Sequence, residues 1–164
     1  MTPVIGSVLE TGLATVLFIA ALGKVTSWRS WLRTRDHLRV GIPSALWKGL
    51  PVLESAVGIG LALGLRPCAE LSCFALFVLF AVVLAIANSR GATGDCNCFG
   101  EILPMQIGLP AIGRALAFAA LAALLLGSDD ASRGQGVLTL AISTTIASIF
   151  SLSSAVWTTV RQPR

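Results

Sequence analysis

Five apolar runs, at about residues 4–25, 48–65, 70–88, 109–127 and 136–160, dominate the pattern of this chain. Each is close to the length a helix needs to cross roughly 30 Å of hydrocarbon. The runs are continuous rather than alternating, which selects helices over a barrel, since in lipid each helix satisfies its own backbone polar groups. Glycine and proline punctuate the boundaries at Gly41-Ile42-Pro43, Arg66-Pro67, Gly91 to Gly94, Pro104 to Pro110 and Ser128 to Gly136. The pattern therefore predicts an all-α polytopic membrane bundle, with a four-helix core and a fifth, C-terminal transmembrane helix, forming a single domain over residues 1–164.

Composition agrees with that setting. The chain is 55% hydrophobic and only 12% charged, with a mean hydropathy of +0.83, far from the soluble average. The first run has no Lys or Arg before it and no small-residue cleavage pattern after it, so it reads as a retained span and not as a removable signal peptide. Six basic residues, Lys24, Arg29, Arg33, Arg35, Arg39 and Lys48, fall between the first two spans against one acid, Asp36. The positive-inside rule then assigns that loop to the cytoplasmic side of a bacterial cytoplasmic membrane, with the N-terminus outside and the C-terminus inside. Topology accounts for these arginines without a nucleic-acid partner. Trp28, Trp31 and Trp47 flank the basic loop as interfacial anchors would, and the stretch from Trp28 to Val40 reads as a short helix lying on the surface.

One consequence does not depend on the direction of insertion. If every span crosses once, the first and third loops share a face, so Lys24, Glu54, Arg114 and the Cys96-Asn97-Cys98 segment converge at one end of the bundle. Lys24 ends the first span, Glu54 lies about two turns into the second, and Arg114 begins the fourth, which gives all three a similar depth. Two thiols separated by one residue can close a tight, strained disulfide of the exchangeable kind. A nearby cation, Lys24 or Arg114, would raise the thiolate fraction and speed exchange. Phe99 and Gly100 follow at once, an apolar side chain to fold onto the bundle and a residue suited to a tight turn.

Cys96 and Cys98 are thus the candidate redox pair, with Lys24, Glu54, Arg114, Phe99 and Gly100 in support. Glu54 needs a partner, a proton or a wet cavity inside its span, and Lys24 is the partner expected for it. Against this stands the plainer reading that Lys24 and Arg114 only reach for the headgroups. Cys68 and Cys73, near the opposite face, are a second candidate pair. Five residues apart on a helix they point roughly 140° away from each other, so a bond between them requires an unwound helix start, and small core thiols are the simpler reading. Soft thiolates can hold zinc or copper(I), but two alone make an incomplete zinc site, and the single histidine, His37, lies in the basic segment. No cofactor is required by this reading, and neither a metal set nor a quinone-site signature is visible.

At these positions the chain resembles the MauE-type membrane proteins of methylamine utilisation, within the broader DoxX-like group of small helical bundles. The likeness covers roughly residues 8–127 and rests on Cys96-Asn97-Cys98-Phe99-Gly100, on Gly23-Lys24 closing the first span, and on Pro51-x-x-Glu54 opening the second, with its following glycines. The resemblance implies support of disulfide formation or isomerisation in exported proteins beside a thioredoxin-like partner, as in maturation of the methylamine dehydrogenase small subunit. An exported client favours an outward-facing thiol loop, whereas the charge rule assigns it inward. The alternative class is a non-catalytic membrane scaffold or assembly factor whose Cys-x-Cys loop binds a metal or a partner. A small transporter built on Glu54 and Glu10 is a third.

Overall fold

The structure, a computed structural model, describes residues 3–38, 40–94, 96 and 106–127. Five helices occupy them: α1 (Pro3–Thr26), α2 (Trp28–His37), α3 (Ser44–Ala62), α4 (Cys68–Ser89) and α5 (Leu109–Leu126). All but α2 are long and apolar enough to cross a membrane. The expected span at 136–160 lies outside the described residues. The expected surface helix near Trp28 is α2, whose short polar sequence cannot cross.

The spans are apolar on both their inner and outer faces. Val52, Leu71, Leu79, Leu109 and Leu124 are exposed, as suits helices solvated by lipid. Inside, α1 packs chiefly on α3 and α4 chiefly on α5. Leu13, Leu17, Leu61, Leu76, Phe77 and Leu125 form the centre of the core between them. In lipid such contacts depend on close approach, which small residues allow. Gly58 supplies it for α1 and α3: a Cβ there would stand 3.4 Å from the Phe18 ring and 3.5 Å from the Ala14 carbonyl. Ala115, Ala119 and Ala122 give α5 a comparable small face.

Gly60 and Gly64, four residues apart, have different roles in the structure. A Cβ on Gly60 would meet Ala69 at 3.1 Å, whereas Gly64 has open space around it and a φ of +67°. It makes the left-handed turn that ends α3, a conformation glycine adopts without a Cβ clash.

The second span begins at Ser44 rather than near residue 48, because the Ser44–Lys48 turn is already helical. With α3 running back against α1, the C-terminal end of α1, α2, the start of α3, the end of α4 and the start of α5 meet at one end of the bundle. Glu10, Arg66 and Glu70 meet at the other.

Candidate functional site at the Cys96 end

Lys24 lies in the last turn of α1, where the unpaired carbonyls of a helix end favour a cation. Its ammonium reaches across to α3 and donates to both oxygens of Glu54, at 2.7 and 3.0 Å, and to the Ala20 carbonyl at 3.3 Å. Both side chains are completely buried. A single charge here would be costly to bury, so each residue requires the other. Aromatic faces complete the cage: Nζ stands 5.0 Å from the Trp31 ring centre and 5.6 Å from that of Phe80, within range of cation–π attraction.

Trp31 leads from the ion pair to the cysteine loop. Its indole stacks on that of Trp47, with centroids 3.9 Å apart and planes 11° from parallel. The two residues also exchange hydrogen bonds. Trp47 Nε1 donates to the Trp31 carbonyl at 3.0 Å, and Trp31 Nε1 donates to the Trp47 carbonyl at 3.4 Å. The second bond has a cause in the sequence. Pro51, buried within α3, has no amide hydrogen for the carbonyl four residues earlier, and its ring crowds that carbonyl. The carbonyl four residues before Pro51 is that of Trp47, which is thereby left to receive the indole. Trp31 and Trp47 are buried, so these two are not the interfacial anchors the sequence predicts; Trp28, partly exposed, remains in that position.

Cys96 is 2% exposed and belongs to the apolar cluster that contains Trp31, Trp47, Leu84, Ala87 and Ala111. Its sulfur is in a disulfide. Cys98, Phe99 and Gly100 lie outside the described residues. The base of the loop is closed by the Ile107 amide donating to the Gly94 carbonyl at 2.9 Å, which ties the end of α4 to the start of α5 around Cys96. Lys24 and Glu54 are therefore in direct contact, and Trp31 stands in contact with the ammonium and in the same cluster as the sulfur. Arg114 joins Glu54 in lining a cavity of about 30 Å³ between α1, α3, α4 and α5, room for a water molecule.

At the far end, Arg66 binds Glu10 through Nη2 at 3.0 Å and Nε at 3.1 Å, and Nε lies 2.5 Å from Glu70 Oε1. That last contact is an ion pair alone, since Glu70 Oε1 accepts no well-aligned hydrogen bond. Cys68 and Cys73 are free thiols, the first exposed and the second buried. The helix α4 already begins at Cys68, so the unwound start that a bond between them requires is not formed.

Sequence reasoning passed over Glu70 and the Trp31–Trp47 pair. The first was signalled by its spacing of four from Arg66 at a helix start, the second by Trp47 standing four residues before Pro51. Among the described residues no three of His, Cys, Asp and Glu gather as a metal site.

An apolar bundle of four spanning helices that holds a buried ion pair beneath a cysteine loop defines a small integral membrane protein. The family described as Methylamine utilisation protein MauE matches residues 2–128, and the chain belongs to it. Comparison with curated proteins and with solved structures finds no match.

Proposed function

We propose that this protein is a membrane thiol–disulfide redox protein whose Cys96–Cys98 pair takes electrons from, or gives them to, exported clients of a methylamine-utilisation system, beside a thioredoxin-like partner. The observation that carries the reading is the disulfide-bonded, buried Cys96 set against the tryptophan pair. Membership of the MauE family supports it. Cys96 is closed off, so a partner thiolate attacks Cys98. A mixed disulfide forms and the Cys96 sulfur leaves as the thiolate. The partner's second thiol then displaces Cys98. The partner has become a disulfide, and the chain holds two thiols and the electron pair.

In this scheme the Lys24–Glu54 pair fixes Trp31, and Trp31 with Trp47 forms the floor on which Cys96 is held, so these are positioning residues. Orientation belongs to the same proposal. The basic loop puts the cysteine end on the cytoplasmic side, and service to an exported client then requires electrons to pass across the membrane.

The test is client maturation with Cys96→Ser and Cys98→Ser variants, together with trapping of mixed disulfides. Loss of maturation in both, with a partner captured on Cys98 when Cys96 is replaced, is the expected result. Full maturation with either thiol missing would instead identify a non-catalytic assembly factor.

A further inference from the structure

Beside Cys96 lies a second, larger cavity of about 360 Å³, bounded by α2, the segment from Gly41 to Pro43, α3 and α4. It is within the size range of sites that hold small organic ligands. Among the described residues its wall is chiefly apolar: Trp31, Trp47, Leu50, Phe80 and Leu84 surround it, and Cys96 is part of its lining. No charged side chain lines it among the described residues. Three of its lining residues, Leu46, Leu53 and Leu79, are exposed on spanning helices, so a lipid-soluble molecule can approach it from the lipid side. The gap exists because α3 and α4 pack loosely on each other, each being held mainly by another helix.

We propose that this cavity binds a quinone, and that the quinone is the two-electron acceptor for the Cys96–Cys98 dithiol. The proposal rests on the thiol–disulfide reading above. It departs from the sequence reading, which required no cofactor. A disulfide in the wall of an apolar, membrane-embedded cavity calls for a co-reactant that dissolves in lipid, carries two electrons and presents a flat ring to an aromatic wall. A quinone meets all three conditions.

The step balances. The Cys96 thiol adds to the quinone ring: a carbon–sulfur bond forms, the sulfur–hydrogen bond breaks and its proton passes to a ring oxygen. Cys98 sulfur attacks Cys96 sulfur, the sulfur–sulfur bond forms and the carbon–sulfur bond breaks. The electron pair departs with the ring as the hydroquinone, whose two oxygens take up the two thiol protons. The chain is oxidised from dithiol to disulfide and the quinone is reduced.

The experiment uses the full chain with Cys68→Ser, which removes the exposed free thiol, reconstituted in lipid nanodiscs, reduced and freed of reductant. Decylubiquinone or oxidised glutathione is added without oxygen, and both quinone absorbance and the alkylation mass of the protein are followed. The expected result is one hydroquinone formed per dithiol closed. Val83→Trp and Leu46→Trp, which fill the cavity from α4 and α3, should each slow the quinone reaction at least about tenfold, as loss of reactant placement does, and leave the glutathione reaction unchanged. Two variants on different helices guard against the misfolding of one. If glutathione closes the disulfide and decylubiquinone does not, or if both filled variants keep the full quinone rate, the quinone site is overturned and the thiol reading stands. If decylbenzene, which carries no electrons, protects the cavity as well as the quinone does, the cavity is a lipid pocket and the proposal falls. If neither oxidant closes the disulfide, both readings fall together.

Discussion

The two ends of this bundle are built from the same kinds of residue and organised differently. At the Cys96 end the Lys24 ammonium meets the Glu54 carboxylate, both fully buried, under an aromatic lid. At the other end one guanidinium is shared by two carboxylates, and Arg66 and Glu10 remain 19% and 12% exposed. A buried pair in a dry setting is held closely, because displacement weakens the compensation of both charges where water cannot replace it. A shared arginine near the bundle's edge has several geometries, since it can lean toward either carboxylate. The cysteines follow the same division: Cys96 is bonded and enclosed, whereas Cys68 and Cys73 are separate thiols. Fixed surroundings are what a sulfur needs if its exchange is to be selective.

The largest effect expected from disturbing this contrast is at the buried pair. Glu54→Ala or Lys24→Met should each destabilise the bundle by about 3–5 kcal/mol, and replacing both with apolar residues should restore much of the loss. Thermal unfolding in detergent of the two single variants and the double variant checks this. A double variant no more stable than the singles would mean that the charges do not act as a pair.

That prediction begins from what the sequence could disclose. The rise of a helix places Lys24, Glu54 and Arg114 at a similar depth, and the cost of a charge in lipid makes Lys24 the partner expected for Glu54. The four described spans were legible for the same reason, as lipid leaves little choice of structure for a long apolar run. The tryptophans were not. Trp31 and Trp47 lie 16 residues apart in a basic, interfacial stretch, where their composition fits anchoring as well as stacking, and only the return of α3 beside α2 decides between them. The apolar cavity was hidden for a related reason. Each of its lining residues is ordinary in a membrane helix, and the space arises from loose packing between α3 and α4, a property of no single segment.

A smaller effect sharpens the aromatic half of the comparison. Trp47→Phe keeps an aromatic face over Trp31 and removes the donor to the Trp31 carbonyl, at an expected cost of about 1 kcal/mol. The near-ultraviolet circular dichroism of the coupled indoles should fall with it. An unchanged spectrum would show that the stacked pair does not form in solution.

The smallest effects belong to the far end. Glu10→Gln removes one of two carboxylates from Arg66 and should change stability by no more than about 1 kcal/mol, leaving the reactivity of Cys96 untouched. In the native fold a maleimide should label Cys68 quickly and Cys73 only on unfolding. Rapid labelling of both would mean that α4 opens at its start, and would remove the contrast between the ends.

The proline in α3 carries a further consequence for how this chain tolerates change. Restoring an ordinary residue at position 51 would straighten the hydrogen-bond ladder locally and so strengthen the isolated segment, yet it would draw the carbonyl of Trp47 back into line with the helix axis and away from the indole of Trp31. A substitution scored as favourable by local propensity would thus loosen the ring that shields Lys24, several ångströms away on another helix. Position 51 is a place where improving one element weakens the join between three.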